Sequence, residues 1–433
     1  MASLFQDPAF WALILFIVPL LFRLPIAIAL GFAAITVAWF WDLGISMLSY
    51  NFFANVAKYP LLAIPFFILA GVIMEKGGIA FRIISFIKAV VGDMNGGLAF
   101  AAIAVAVFWG AVSGSSPATV AALGVILIPG MVSAGYDKPF STAVISVASG
   151  LAIIIPPSIT FIIYAVITGC SVPGIFAAGI FPGFIMAACL MTSAWFTCRK
   201  KGYRGEPRPP LADIGRNFLN AFWALLTPVI ILGGIYGGIF TPTEAAAVAV
   251  FYGLFVGFFI YRTLTLRIVY ECLVTSVTAT SAVMLVVACA GLYSWIGSTV
   301  GLIEKVSGLL LGISQNGLVV LLTINVILFF AGMILDGVSI LYVFMPILIP
   351  IIEHFQWNYI WFGVLLTINI AIGTITPPVA VNLYVGSNVS GLSMEELTPP
   401  VIPLLVASVV ALAIVAVFPS ITLFLPKAFG LIG

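Results

Sequence analysis

Residues 146–166, SVASGLAIIIPPSITFIIYAV, form an apolar segment long enough to cross a bilayer, but Pro156 and Pro157 interrupt it. Residues 364–385, VLLTINIAIGTITPPVAVNLYV, carry a second double proline in a similar setting. Proline removes a backbone donor and clashes with the carbonyl group one turn earlier, so each pair predicts a helix that stops and restarts. In hydrocarbon, the freed backbone groups are tolerated only inside protein or beside a wet cavity.

The two interrupted segments belong to an internal repeat. The string ILIP ends at Pro129 and recurs ending at Pro350, a shift of 221 positions. The same shift aligns the two double prolines and carries Pro182 onto Pro403. Duplicated membrane folds commonly place the substrate site where the repeats meet. A duplication without functional meaning is the alternative, although the repeated features are also the most unusual chemically.

The overall composition predicts a membrane protein. Hydrophobic residues make up 63% of the chain and charged residues 7%, whereas soluble proteins carry about 25% charged residues. So few charges cannot cover a water-exposed surface, and the apolar segments must face lipid. The apolar runs are continuous rather than alternating, which favours membrane-spanning helices over pore-forming strands. The predicted fold class is therefore an all-α polytopic membrane protein.

The distribution of charge predicts the orientation. Six of the 16 Lys and Arg residues lie in the Pro-rich segment 199–216, which the positive-inside rule places in the cytoplasm. This loop is too short to be a folded nucleic-acid-binding domain, so no nucleic-acid partner is expected. Asp7 precedes the apolar run 10–41 and Arg23 lies at its break, so the run predicts two retained helices rather than a signal peptide.

The chain offers little that could support catalysis. It has one histidine, and its five cysteines contain no Cys-x-x-Cys pair. An enzyme acting on lipid or isoprenoid substrates would need clustered acid–base or metal-binding residues at a membrane face. The single histidine and the scattered acidic residues count against that class, so we expect a protein that is not an enzyme and has no cofactor.

Both helix breaks suit an ion. The carbonyl groups that end the first half-helix can bind a cation, and the amides that start the second half-helix carry positive potential that suits an anion. Small and hydroxyl residues flank both breaks and supply oxygen ligands without a carboxylate. A proline kink that only bends a helix is the alternative, but two double prolines at matched repeat positions favour the ion site.

A predicted re-entrant hairpin precedes each break. In the first repeat its tip is SGSSPAT, residues 113–119, with Ser116 predicted as the N-cap residue and Pro117 at the first helical position. The second tip contains Asp336 and Gly337, and an ionisable residue between apolar arms is a candidate functional residue. A small-residue packing motif is the alternative interpretation of the serines.

These patterns define the candidate site residues. The predicted Na⁺ ligands are Ser113, Ser115, Gly150, Ile154, Pro156, Gly332, Asp336, Gly373 and Thr376. The predicted substrate ligands are Ser115, Ser116, Thr119, Ser158, Pro378 and Asn382. In the string TPTE, Thr241 and Glu244 predict a structural capping box, with a transport role as the alternative.

The repeats divide the chain into five segments. We expect N-terminal scaffold helices over 1–60, a basic cytoplasmic loop over 199–216 and central scaffold helices over 217–320. The first repeat is predicted over 61–198, with a hairpin near 98–130 and a broken helix near 138–168. The second repeat, with C-terminal helices, is predicted over 321–433, with a hairpin near 332–353 and a broken helix near 358–389.

Five motifs follow one another along the chain. They are AGVIMEKGG at 70–78, SGSSPAT at 113–119, IPPS at 155–158, GIFTPTEA at 238–245 and TITPP at 374–378. In this order they resemble the large membrane subunit of tripartite ATP-independent periplasmic (TRAP) transporters, and the resemblance covers essentially the whole chain.

The resemblance implies a multi-pass protein of the bacterial inner membrane that takes up carboxylates such as C4-dicarboxylates, sialic acid or other sugar acids. It implies Na⁺ as the coupling ion, with two or more ions per cycle. It also implies a separate small four-helix membrane subunit, a periplasmic substrate-binding protein, and a transport domain that moves like an elevator against a scaffold, with the repeats inverted. A stand-alone Na⁺/organic-anion symporter without a binding protein is the alternative.

Overall fold

The computed structural model describes residues 6–22, 24–205 and 209–432 and is all-α in these ranges. The described residues form twenty α-helices, and eight helical segments are long and apolar enough to cross a membrane. Outside the helices they hold a single isolated β-bridge, between Asn95 and Arg204. The helices are α1 (Pro8–Leu21), α2 (Ile26–Phe40), α3 (Ile45–Val56), α4 (Ala63–Lys76), α5 (Ile79–Val91), α6 (Gly97–Ser113), α7 (Ser116–Ser133), α8 (Lys138–Ala148), α9 (Ile159–Thr168), α10 (Val172–Lys201), α11 (Leu211–Tyr236), α12 (Pro242–Phe255), α13 (Leu266–Thr299), α14 (Leu302–Leu311), α15 (Gly317–Gly332), α16 (Gly337–His354), α17 (Tyr359–Gly373), α18 (Val381–Ser390), α19 (Met394–Val417) and α20 (Pro419–Ala428).

Both double prolines interrupt a helix, as the sequence predicts. In the first, α8 continues as a 3₁₀ turn over Ser149–Ile153, and the chain restarts as α9. In the second, α17 ends at Gly373, and the chain restarts as α18. The Pro-Pro peptide bond is cis at both breaks.

The helix boundaries follow the shift of 221 positions. Moving Ser116 and Ser133, the ends of α7, by this shift gives Gly337 and His354, the ends of α16. The N-cap residue of α8, Asp137, moves onto the N-cap residue of α17, Asn358. Inverted repeats and elevator motion stay predictions, because helix boundaries alone do not test them.

The two repeats interlock at their breaks. The restarted helix α9 packs on α16 of the second hairpin, and α18 packs on α7 of the first hairpin. Helix α13 packs against α2, α3 and α4 and also contacts α16, so it joins these helices to the second hairpin. This arrangement brings both hairpin tips and both breaks to one region.

Several predicted boundaries differ from the structure. The N-cap residue of α7 is Ser115 rather than Ser116, because Ser115 has the extended backbone of a cap and Ser116 is already helical. The second hairpin begins at Gly317, well before 332, because its first arm is a full helix. The basic loop is shorter than 199–216, since α10 extends to Lys201 and α11 begins at Leu211.

The N-terminal run forms two helices, α1 and α2, as predicted. Arg23, which marks the predicted break, lies outside the described residues, as do Pro207 and Arg208 of the basic loop. At the start of α12, the Thr241 hydroxyl accepts from the amide of Glu244, and the Glu244 carboxylate accepts from the amide of Thr241. This reciprocal pair is the capping box that the sequence pattern predicts.

Candidate functional site

A cavity of about 220 Å³ lies where the two hairpin tips meet the two helix breaks. Residues from both tips and from both sides of the breaks line it, so the cavity belongs to both repeats. The lining also includes Val283 from the middle of α13. The polar residues that line the cavity are Ser115, Ser116, Thr160, Asp336 and Thr374.

Helix starts converge on this cavity. Within the described part of the chain, four helices begin at a lining residue, and these are Ser116, Ile159, Gly337 and Val381. A helix N-terminus exposes unpaired amides and carries about half a positive charge. Among the residues that the structure describes, no Lys or Arg side chain lines the cavity, so the helix starts are the source of positive potential in this described lining.

The first tip turns at Gly114, which has a positive φ of 62°. A Cβ atom on Gly114 would lie 2.9 Å from the carbonyl oxygen of Pro157. The carbonyl of Gly114 accepts from the amide of Ile159 at 3.4 Å. The hairpin tip therefore rests directly on the first break, and only glycine fits there.

Ser115 and Ser116 have different surroundings at this tip. The Ser115 side chain makes no capping hydrogen bond, although its carbonyl accepts from the Thr119 hydroxyl at 2.8 Å. The Ser116 hydroxyl accepts from Nδ2 of Asn382, which also donates to the carbonyl of Ser146 at 3.2 Å. Asn382 is fully buried and does not line the cavity. It thus positions Ser116 from the other repeat.

Asp336 forms the second tip and caps α16. One carboxylate oxygen accepts from the amide of Val338 at 3.1 Å, and the other accepts from the Ser339 hydroxyl. Beside this tip, the Cβ positions of Gly332 and Gly373 would each lie within 3 Å of the other residue's Cα atom. The second hairpin therefore contacts the second break backbone to backbone.

Hydroxyl groups cap the broken ends at both breaks. The Ser158 hydroxyl donates to the carbonyl of Ile153 at 2.6 Å and accepts from the amide of Phe161 at 3.4 Å. In the second break, Thr374 and Thr376 donate to carbonyl groups of α17 at 2.8 Å and 2.7 Å. These hydroxyls satisfy carbonyl groups that the prolines release, which lowers the cost of the breaks inside the membrane.

Of the predicted ligands, Ser115, Ser116 and Asp336 line the cavity. Pro378 is exposed, because the second break turns it outward. The remaining predicted residues do not line the cavity and are packed around it, and their roles as ligands stay predictions. These residues are Ser113, Thr119, Gly150, Ile154, Pro156, Ser158, Gly332, Gly373, Thr376 and Asn382.

Sequence reasoning missed Thr160 and Val283 in the lining. Thr160 is the second residue of α9, which restarts directly after the first double proline. A hydroxyl residue at that position could have been predicted to face the site. Val283 has no local signal, because only the packing of α13 against α16 brings it to the site. No group of three or more His, Cys, Asp or Glu residues that could hold a metal ion occurs in the described ranges.

The family model for the DctM component of tripartite ATP-independent periplasmic transporters matches residues 13–421. The chain belongs to this family. It is a multi-pass inner-membrane protein and the transport component of a secondary transporter, not an enzyme. TRAP large permeases generally work with a small membrane subunit and a periplasmic binding protein.

Several curated relatives are TRAP permeases with named substrates. The C4-dicarboxylate large permease DctM of Rhodobacter capsulatus is 35% identical and is covered in full, with 97% of this chain aligned. The sialic acid large permease SiaM of Vibrio cholerae is 37% identical, with 89% of this chain and 90% of that protein covered. The isethionate permease DctMQ of Oleidesulfovibrio alaskensis is 38% identical over 92% of this chain. The aligned part spans 63% of the length of that permease.

A solved structure shares the fold of this TRAP permease. The YdaH transporter of Alcanivorax borkumensis superposes with a TM-score of 0.59 and covers 87% of this chain and 88% of its own. The two sequences are 14% identical, so this likeness concerns the fold alone.

Proposed function

We propose that this TRAP permease carries a small organic acid anion into the cell together with Na⁺, using the cavity between the hairpin tips. The observation that carries the proposal is the convergence of four helix starts on one cavity. Together their exposed amides create an anion site without a fixed cationic side chain. Because such a site holds no permanent positive charge, it binds the anion more weakly once the coupled cation has left.

The cation part of the proposal rests on oxygen donors beside the same cavity. Ser115, Thr160 and Thr374 bring hydroxyl groups, and Asp336 brings a carboxylate to the lining. A Na⁺ ion near Asp336 would neutralise that carboxylate and remove its repulsion of an anionic substrate. Binding of the cation would therefore favour binding of the anion, which is the thermodynamic basis of symport.

The substrate class rests on the names of relatives. C4-dicarboxylate, sialic acid and isethionate permeases all resemble this chain, as does the 2,3-diketo-L-gulonate large permease YiaN of Escherichia coli, at 36% identity. These compounds share a small size and an acidic group. We infer that this chain takes a member of the same class, delivered by a periplasmic binding protein and aided by a small membrane subunit.

Uptake into proteoliposomes tests the proposal. The chain is reconstituted with its small subunit and binding protein, and succinate, sialic acid, 2,3-diketo-L-gulonate and isethionate are offered in turn. At least one acid should accumulate with an inward Na⁺ gradient and stop accumulating when Na⁺ is removed at constant membrane potential. Undiminished uptake in K⁺ alone would contradict Na⁺ coupling, and uptake without the binding protein would favour a stand-alone symporter.

A further inference from the structure

A second cavity, of about 380 Å³, lies at the open end of the first hairpin. Its walls come from α5, from the start of α6 and the end of α7, and from Pro209 and Asn217 around the start of α11. It shares no described lining residue with the transport cavity. Gly130, which lines it, lies about 21 Å along α7 from Ser116 at the tip. The two cavities therefore lie at opposite ends of the hairpin.

The basic segment is hydrogen-bonded to this open end of the hairpin. The amide of Gly205 donates to the carbonyl of Met94 at 2.9 Å, and the amide of Gly96, just before α6, donates to the carbonyl of Tyr203 at 3.0 Å. Residues 199–204 hold four Lys and Arg residues. The positive-inside rule assigns such a segment to the cytoplasmic side, so we place the second cavity at the cytoplasmic surface of the bilayer.

Helix α5, which forms one wall, has the features of a helix that lies in the membrane surface. Its 13 residues extend about 20 Å, too short for roughly 30 Å of hydrocarbon. Its buried side chains are apolar, and its polar side chains are Arg82, Ser85 and Lys88, three residues apart. Arg82 donates to the carbonyl of Gly78 and lies 3.6 Å from the centroid of the Tyr261 ring, whereas Lys88 lines the cavity. Helix α5 therefore holds a lysine at the level of the lipid headgroups.

The lining of the second cavity combines polar groups with hydrocarbon. Its polar side chains are Ser85, Lys88 and Asn217, and no acidic side chain lines it among the residues that the structure describes. The other described lining residues are apolar. Phe81 of α5 is one of them and is 59% exposed, so on a surface helix its ring contacts lipid. The lining therefore suits an occupant with an anionic head and an alkyl chain.

An anionic phospholipid has this chemistry. Basic pockets between helices on the cytoplasmic side bind acidic lipid headgroups, and a phosphate accepts strong hydrogen bonds from an ammonium group. An ammonium group has three donors, so Lys88 can serve a phosphate alongside a partner within the protein. A soluble anion would satisfy Lys88 but would leave the apolar part of the lining uncovered.

We propose that the second cavity binds an anionic phospholipid of the cytoplasmic leaflet, with the phosphate accepting from Lys88 and Asn217 and one acyl chain against the apolar lining. The bound lipid touches α6 and α7 of the hairpin and also α5 and α11 outside it, so it bridges these two parts of the molecule. The proposal does not depend on the transported acid or on Na⁺ coupling, because its readout is lipid contact.

Photocrosslinking with two lipids tests this site. The full chain, with its small membrane subunit, is placed in phosphatidylcholine nanodiscs that hold a trace of either phosphatidylglycerol or phosphatidylcholine with a diazirine in one acyl chain. Labelled residues are mapped by mass spectrometry. Phosphatidylglycerol should label the lining residues of α5 and α7 about fivefold more than phosphatidylcholine does, because one nearby basic residue favours an anionic lipid by roughly that factor. Equal labelling by the two lipids would overturn the proposal.

Two variants remove the site in different ways. Lys88→Gln removes the charge and should lower phosphatidylglycerol labelling about fivefold, to the level of phosphatidylcholine. Gly130→Leu fills the cavity, and a Cβ atom on Gly130 meets no heavy atom within 4 Å. This variant should remove labelling of the lining by both lipids, and it tests the idea if Lys88→Gln fails to fold. Labelling that both variants leave intact would overturn the proposal.

Matched controls separate this site from general lipid contact. Lys200 is exposed and does not line the cavity, so Lys200→Gln should keep the preference for phosphatidylglycerol. Gly233 of α11 also has open space around a Cβ atom and lies outside the lining, so Gly233→Leu should keep the labelling. An equal loss of preference in Lys200→Gln and Lys88→Gln would mean that only the general surface charge attracts the lipid. Loss of labelling in millimolar inorganic phosphate at constant ionic strength would assign the cavity to a soluble anion. Either result would overturn the lipid site.

Discussion

Ser115 and Asp336 occupy equivalent positions in the two hairpins, since each is the N-cap residue of the returning arm and both line the same cavity. The shift of 221 positions carries one onto the other. Asp336 uses its carboxylate to cap its helix, whereas the Ser115 side chain makes no capping hydrogen bond. The two tips therefore offer different chemistry to the cavity, a hydroxyl from one and a carboxylate from the other.

Replacing Ser115 by alanine should weaken transport without weakening the fold. The hydroxyl makes no cap bond, so its loss costs little stability. Loss of a hydrogen bond to a charged ligand typically costs about 1.5–3 kcal/mol, which is roughly tenfold or more in affinity. The Na⁺ or substrate concentration for half-maximal uptake should rise by about that factor. Ser133→Ala is the control, because its hydroxyl is exposed and bonded to the carbonyl of Gly130. Unchanged concentration dependence in Ser115→Ala would remove Ser115 from the site.

Ser116 and Asn382 should behave as a coupled pair. Each hydrogen bond partner is buried, and the bond joins the two repeats. A double-mutant cycle of Ser116→Ala and Asn382→Ala, followed by thermal unfolding, should give a coupling energy of about 0.5–3 kcal/mol. Ser116→Ala combined with Ser133→Ala should be additive. Additivity in the first pair as well would mean that Asn382 does not position Ser116.

Asp336→Asn and Asp336→Ala should separate capping from charge. Asparagine is as good an N-cap residue as aspartate, while alanine typically costs about 1 kcal/mol. Asp336→Asn should therefore unfold like the parent protein but should need a higher Na⁺ concentration for uptake. Asp336→Ala should show both defects. If Asp336→Asn transports with the parent Na⁺ dependence, the carboxylate acts only as a cap.

The loop before α8 should make stability depend on acidity. Burial raises the pKa of Asp137, but hydrogen bonds from Lys201 and Tyr203 outweigh it, so the pKa of this carboxyl is lowered overall. A carboxyl whose pKa is lower in the folded state stabilises that state fully at pH values above its pKa in the unfolded chain, about 3.9. This stabilisation is lost as the pH falls through the pKa of the folded state. Melting temperatures measured from pH 6 downward should therefore drop more steeply for the parent protein than for Asp137→Asn, in which the cap remains. Parallel curves would contradict the role of Asp137.

The capping box of α12 should be structural. Thr241→Ala removes the side-chain acceptor for the amide of Glu244 and should cost about 1 kcal/mol of stability. The concentrations for half-maximal uptake should not change, since neither Thr241 nor Glu244 lines the transport cavity. A changed Na⁺ dependence in a variant with normal stability would support the transport role instead.

Local sequence patterns predicted the breaks and the hairpins because prolines and caps act within one helical turn. The double prolines interrupt the helices where expected, and α7 and α16 have matching ends. The position of the cap was wrong by one residue, since both Ser115 and Ser116 are suitable caps and the bond from Asn382 occupies the hydroxyl of the second.

Local sequence patterns could not predict that the hairpin tips and the helix breaks meet at one cavity. Asn382 hydrogen-bonds to Ser116 because α18 packs on α7, a contact between distant parts of the chain, and its predicted role in substrate binding stays a prediction. Val283 reaches the cavity only through the packing of α13. The lengths of α10 and α13, 30 and 34 residues, also exceed the apolar runs, because both helices continue through segments that contain charged residues.

The anion and Na⁺ are proposed to move as a coupled pair, and coupling of their binding must be reciprocal. The most direct measurement is the flux of radioactive sodium into proteoliposomes that hold the complete transporter, with equal Na⁺ on both sides and an inward gradient of the transported acid. We predict that the acid gradient drives net entry of labelled sodium, and that Ser115→Ala and Asp336→Asn each reduce this entry. Acid uptake at the parent rate with no acid-dependent sodium flux would contradict coupled movement of the anion and Na⁺.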